Sequence, residues 1–260
     1  MTDLRSLLHG AVSSNLWLAR HFGPFARQLR ESHGIGAVSP LARTTWHRGS
    51  RYFRGRDTTD RMLFIKTDGY HRLLTNEIAA SHLLQAGASR DHFLPVRHHD
   101  LSAPYPFAAF DWSDGRTLGS TLTRLSGPET ERVASELWSI LQALTAAGLI
   151  HRDLTPDNLI LRPGLGASTR LVLIDFAFVV HHGTAASDDR LPPLDLEHLG
   201  WGYKPAPLQW DDAYSCAQIL RQVAPVPTPA VQEWQDRIKE RVGAAVFQRD
   251  IRVTTSPLHP

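Results

Sequence analysis

The chain has 260 residues, 42% of them hydrophobic and 21% charged, with 28 basic against 26 acidic side chains and a formal net charge of +2. These are the proportions of a soluble globular protein with ample chain to bury a core, and so small a positive balance gives no ground for expecting a nucleic-acid partner. A single cysteine, Cys216, excludes an internal disulfide, and no window approaches the roughly eighteen consecutive apolar residues of a membrane span.

The N-terminus lacks the compact apolar run and small-residue cleavage site of a signal peptide, so a cytoplasmic protein is expected. Within residues 3–20, Leu4, Leu7, Leu8, Ala11 and Val12 recur at helical spacing, which predicts an amphipathic helix in an N-terminal extension over residues 1–43. Packing on the body of the protein is the expected use of that helix. The alternative is a peripheral membrane contact through Trp17, Leu18, Phe22 and the nearby arginines. Gly34 and Gly36 mark a loop. Strands are then predicted at Thr44-Thr45-Trp46-His47, at Tyr52-Phe53 and at Met62-Leu63-Phe64-Ile65, with turns at Arg48-Gly49-Ser50-Arg51 and Asp57-Thr58-Thr59-Asp60. A helix over 74–86 carries Glu77 and ends at Gly87, and strands come next over 93–96 and 106–112. Three strands, a helix and two strands predict a small, β-rich α+β lobe over residues 44–112.

Residues 113–260 read as mostly helical. Pro128 and Gly148 bracket a helix in which Val133, Leu137, Ile140, Leu141 and Leu144 form one buried face. Short strands at Leu159-Ile160-Leu161 and Leu171-Val172-Leu173-Ile174 flank a Pro/Gly-rich turn. Helices are predicted near Asp212 and near Pro229, the second with Val231, Trp234, Ile238 and Val242 on one side. Trp201, Tyr203 and Trp210 are expected in the core, with a substrate platform as the alternative, and Cys216 as a buried small hydrophobe. His98-His99-Asp100 and His181-His182 are adjacent pairs that match no i,i+4 ligand spacing, so they argue against a transition-metal site.

The chemistry concentrates in residues 151–176. His151-Arg152-Asp153-Leu154-Thr155-Pro156-Asp157-Asn158 sets an amide five residues after a carboxylate, and Asp175-Phe176 closes the next apolar strand with a second carboxylate. Only Lys66, Lys204 and Lys239 among the 28 basic residues are lysine, so Lys66 at the end of the third predicted strand is more informative than a lysine usually is. The pattern H-R-D-L-x-x-x-N followed by D-F resembles the protein-kinase-like phosphotransferases. That resemblance spans roughly residues 44–223 and implies a two-lobed α+β fold with a small N-lobe and a helical C-lobe. It implies ATP and Mg²⁺ as cofactors. Asp153 is then the catalytic base, Asn158 and Asp175 bind the metal, Lys66 contacts the phosphates, Glu77 pairs with Lys66, and Gly49 lies in the phosphate loop. His151 and Arg152 are expected as scaffolding of the loop, with pairing of Arg152 to the activation segment as the alternative the resemblance implies.

Several positions depart from the protein-kinase pattern. The phosphate loop has one glycine, Gly49, between Arg48 and Arg51; Ala177 replaces the glycine of D-F-G; Thr155 stands where Ser/Thr protein kinases usually carry a lysine. Ala206-Pro207-Leu208 resembles A-P-E without its glutamate, and Asp212-Ala213-Tyr214-Ser215 resembles the start of the helix that anchors the catalytic loop. The C-lobe is trimmed, as in lipopolysaccharide sugar kinases, RIO-type kinases and small-molecule phosphotransferases. The expected function is therefore transfer of the γ-phosphoryl group of ATP to a hydroxyl acceptor, weakly favouring a glycan or lipid-linked sugar over a Ser/Thr protein. A pseudokinase scaffold is the alternative from another class. The acceptor pocket is expected to be bordered by residues 178–204.

Overall fold

The computed structural model describes residues 4–41, 50–67, 71–122, 125–163, 169–184 and 196–249. The chain divides into two units, Met1–Gly115 with Ile174–Phe178, and Arg116–Leu173 with Val179–Pro260. Gly49 and the segment from Thr44 to His47 lie outside the described residues, as do the side chains of Leu4 through Val12.

The first unit is built on a five-stranded antiparallel sheet in the order β1 (Gly36–Pro40), β2 (Arg51–Arg56), β3 (Met62–Thr67), β5 (Phe107–Asp111), β4 (Val96–Asp100). The period-two alternation of strands divides its side chains between two helices. Phe53, Leu63, Ile65, Phe107 and Ala109 face α1 (Leu4–His33), where they bury Phe25 and Leu29. Phe64, Ala108 and Phe110 face α2 (His71–Gln85), with Leu74 and Ile78. Lys66, two residues beyond Phe64, is thereby directed to the α2 side.

α1 continues well past the expected end at residue 20, through Gly23-Pro24. Pro24 lies exposed and forfeits a hydrogen bond, at about 3 kcal/mol for an interior proline. Phe25 and Leu29, four apart and fully buried, each contribute roughly 1.5–3 kcal/mol, which offsets that cost. The helix stops at Gly34, whose φ of +65° suits glycine. Trp17, Leu18 and Phe22 pack against the same core. The Trp17 ring lies 5.9 Å from Phe53 and has the Arg51 guanidinium 4.7 Å above it. These side chains are engaged in packing on the body of the unit, the expected use of this helix. Among the described residues no helix is long and apolar enough to cross a membrane.

Two strands differ from the expectation. β1 occupies the stretch read as a Gly-marked loop; it is an edge strand with a register shift between Gly36 and Ser39 and with Ala37 at φ 49°, so glycine and a proline are tolerated there. β4 begins at Val96, not Phe93, and runs through Arg97-His98-His99-Asp100. An edge strand of polar residues has no apolar alternation by which to be recognised.

The second unit is mainly helical. α3 (Gly127–Ala146) starts at Ser126, whose backbone N–H and hydroxyl both donate to the Glu129 carboxylate, and it buries Val133, Leu137, Ile140, Leu141 and Leu144. α4 (Asp212–Val223) is capped by Asp211 and α5 (Pro229–Lys239) by Thr228. α5 buries Val231 and Ile238 and half-buries Trp234, but Val242 lies past its end and is 41% exposed, a correction to the predicted face. Cys216 is fully buried, and that burial raises its thiol pKa well above the ordinary value. Short sheets complete the unit: β6 (Arg116–Thr117) with β8 (Leu159–Pro163) and β9 (Thr169–Leu173), β7 (Leu149–Ile150) with β10 (Val180–His181), and β11 (Gln209–Trp210) with β12 (Phe247–Gln248). A five-stranded antiparallel unit followed by a helical one is the mixed α+β architecture expected from the sequence.

Candidate active site

In the first unit three of the candidate residues meet. Lys66 on β3 and Glu77 on α2 are 3% and 5% exposed. The Lys66 Nζ lies 3.0 Å from Glu77 Oε2 and donates to Asp175 Oδ1 at 2.7 Å. Burial by itself drives the ammonium pKa down, yet the charges of Asp175 and Glu77, with the hydrogen bond to Asp175, outweigh it and hold Lys66 well above its ordinary range. Asp175 sits at φ 65°, a left-handed conformation that costs a non-glycine residue energy and is found disproportionately at functional sites. The two residues after Asp175 are pinned. The Phe176 ring meets Phe93 edge-on at 5.9 Å, and Asn76 of α2 donates to the Ala177 carbonyl at 3.1 Å. Ala177 is not among the residues at positive φ, so alanine is accommodated where a glycine was expected.

In the second unit the loop between β7 and β8 is held by its backbone. Asp212 at the start of α4 accepts from the His151 N–H at 2.7 Å and, more weakly, from the Arg152 N–H at 3.4 Å. Burial pushes the Asp212 carboxyl up to about 7, the two N–H groups opposing it and the neighbouring Asp211 reinforcing it. Asp211 in turn accepts from Ala213, Tyr214 and Gly243 N–H groups. Arg152 is buried at φ 70°, its guanidinium 5.4 Å from the Trp210 ring and 5.1 Å from Phe247, a scaffolding position. His151 is fully buried and accepts from the Asp153 N–H at 3.2 Å.

Asp153 and Asn158 are adjacent. The Asn158 amide nitrogen donates to the Asp153 carbonyl at 2.8 Å and to its Oδ2 at 2.9 Å. Both bonds use nitrogen, which leaves the amide oxygen as the group suited to a hard cation. The other Asp153 oxygen, Oδ1, accepts from the Gly200 N–H at 2.9 Å. Asp153 also lines a cleft of about 390 Å³ with Asp157, His198, Trp201 and Tyr203 on its walls. The three aromatics expected together in the core separate. Trp210 is 1% exposed and donates to the Leu199 carbonyl at 3.1 Å, whereas Trp201 is 71% exposed beside His198, and Tyr203 is half-buried with its hydroxyl on Gln222 at 2.7 Å. Sequence reasoning passed over Gly200 and Asn76. A glycine on either side of Trp201 was the only trace of the first, and nothing marked the second.

An antiparallel sheet unit with a buried Lys–Glu–Asp cluster, and a helical unit with a carboxylate–amide loop anchored by the next helix, are features of a protein-kinase-like phosphotransferase. No protein-family model matches the chain. It is 33% identical over 87 residues to the serine/threonine-protein kinase Pkn1 of Myxococcus xanthus, covering 33% of this chain and 13% of that protein. It is 26% identical over 156 residues to the phosphorylase b kinase gamma catalytic chain, liver/testis isoform, of Homo sapiens, covering 54% of this chain and 36% of the relative. The chain thus spans well under half the length of either relative, and it is distantly similar to Ser/Thr protein kinases within the protein-kinase-like superfamily.

Proposed function

We infer that this chain is an ATP-dependent phosphotransferase and that its acceptor is a Ser or Thr hydroxyl of a protein. The observation that carries the reading is Lys66: an ammonium buried with two carboxylates and held protonated is costly for a fold to keep without use, and it suits the α- and β-phosphates as a point charge. Glu77 orients it. Asp153 accepts the proton of the acceptor hydroxyl as that oxygen bonds the γ-phosphorus and the bond to the ADP oxygen breaks, giving phosphorylated acceptor, ADP and a proton. Asn158 through its amide oxygen and Asp175 through its carboxylate are the residues that would hold Mg²⁺, which when bound neutralises phosphate charge. Gly49 would approach the phosphates through its backbone.

Distant homology to protein kinases supports kinase activity in general, and both relatives being Ser/Thr protein kinases favours that acceptor over the glycan suggested by the trimmed C-lobe. A glycan remains the second reading because an exposed indole, Trp201, borders the cleft that holds Asp153 and could stack on a sugar face. The deciding experiment has two stages. Mg·ATP at millimolar concentration is expected to raise the melting temperature; no shift would favour a pseudokinase scaffold. Transfer of the labelled γ-phosphate to an unstructured Ser/Thr peptide is then compared with transfer to glycans. Robust peptide phosphorylation that survives Trp201→Ala supports the protein acceptor, and transfer to glycans alone, lost in Trp201→Ala, reverses the preference.

A further inference from the structure

Gly200 makes a backbone contact with Asp153 from a position that admits no side chain. Its N–H donates to Asp153 Oδ1 at 2.9 Å while Asn158 holds Oδ2, so both carboxylate oxygens are located by hydrogen bonds. The approach is tight. A Cβ on Gly200 would lie 2.8 Å from the carbonyl oxygen of Arg152, the residue directly before Asp153, and the backbone has φ +65°. Any L side chain is therefore excluded twice, by contact with backbone and by conformation.

The segment around Gly200 is folded so as to deliver that amide. Leu199 donates to Leu196, Trp201 to His198 and Tyr203 to Gly200, all backbone to backbone at 2.9–3.2 Å. Lys204 ties the turn from below, its Nζ donating to the carbonyls of Leu196 at 3.2 Å and Glu197 at 2.6 Å. Trp210 Nε1 holds the Leu199 carbonyl at 3.1 Å and Ser215 Oγ the Tyr203 carbonyl at 2.6 Å. A donor fixed in this way by the main chain carries no rotamer freedom of its own.

We propose that Gly200 is a positioning residue for the phosphoryl transfer. Its backbone N–H, held by the Lys204-tied turn, sets the orientation of the Asp153 carboxylate toward the acceptor hydroxyl. The inference rests on the phosphotransferase reading above and deepens it. A positioned general acid–base group contributes roughly 10²–10⁴-fold, and misorienting it forfeits part of that factor.

The test is a kinetic cycle on the full chain with Mg·ATP and an unstructured Ser/Thr peptide. Gly200→Ala is expected to lower kcat by about tenfold or more and to leave KM for ATP within about twofold, because it acts only through the base. In an Asp153→Asn background the same substitution is expected to cause no further loss, since the group it serves is gone. Lys204→Gln is expected to give the same pattern with a smaller loss, and it carries the cycle if Gly200→Ala does not fold. Equal fold-losses with and without the Asp153 carboxylate, or an unchanged kcat, overturn the positioning role. A wild-type chain that binds Mg·ATP but transfers phosphate to no hydroxyl overturns the phosphotransferase reading itself, and this inference with it.

Discussion

Lys66 and Glu77 together illustrate how a buried pair is sustained. Each is nearly inaccessible, so removing either leaves the other charged in a low-dielectric site. Lys66→Met is expected to abolish transfer and also to cost about 3 kcal/mol in urea unfolding, the scale for stranding one member of a buried ion pair. Adding Glu77→Gln should recover part of that loss. If the two substitutions are simply additive, the pair is not coupled as its 3.0 Å separation implies. Asp212 gives a pH-dependent case. Its folded pKa of about 7 lies above the ordinary 3.8, so between those values the folded chain holds a proton that the unfolded chain has released. Stability owed to this group is present below about pH 4 and is lost as pH rises through about 7. The stability of wild type relative to Asp212→Asn should therefore decline across that window, by at most about 1.4 kcal/mol per pH unit, and level off above it. A difference that grows with pH would contradict the assigned burial.

At the scale of elements, α1 is an integral layer of the first unit and not an appendage. It supplies Phe25 and Leu29 to a core shared with β2, β3 and β5. Phe25→Ala is expected to destabilise by about 3–5 kcal/mol, measured by chemical denaturation, whereas the exposed Leu16 at 54% should tolerate alanine within about 0.5 kcal/mol. α2 has a double duty: Leu74 and Ile78 pack on the sheet, Glu77 holds Lys66, and Asn76 holds the Ala177 carbonyl. One helix thus sets both the lysine and the backbone just after Asp175.

For the molecule as a whole, the residues to which the proposed function gives the chemistry are divided between the units: Lys66, Glu77 and Asp175 in one, Asp153 and Asn158 in the other. The two carboxylates should therefore fail differently. Asp175→Asn is expected to abolish turnover and to reduce the stabilisation conferred by Mg·ATP, which for the wild type at a hundredfold excess over Kd would be about 2.7 kcal/mol. Asp153→Asn is expected to lower turnover by about 10²–10⁴-fold to a measurable residue and to leave that stabilisation nearly intact. Equal loss of Mg·ATP affinity in both variants would refute this division of roles.

Much of the chain could be read without a structure because its signals are local. The α3 face from Val133 to Leu144 comes from helical period alone, and the turn at Asp57 comes from a carboxylate that accepts from the N–H groups of Thr59 and Arg61. The residues of the candidate site were likewise legible in type and spacing, from Asp153 and Asn158 to Asp175. Other features depended on which segments came to lie side by side. α1 passes through Gly23-Pro24 because the sheet offers Phe25 and Leu29 a place to be buried, and β1 exists only because β2 is there to pair with it. Trp210 is in the core and Trp201 on the surface, although both are tryptophans in one stretch of chain. Nothing in a glycine announces that its N–H will reach a carboxylate 47 positions away in sequence. Period, capping and motif spacing are written along the backbone and so belong to the sequence; burial, edge pairing and close backbone approach arise between segments distant along the chain, and only the tertiary structure decides them.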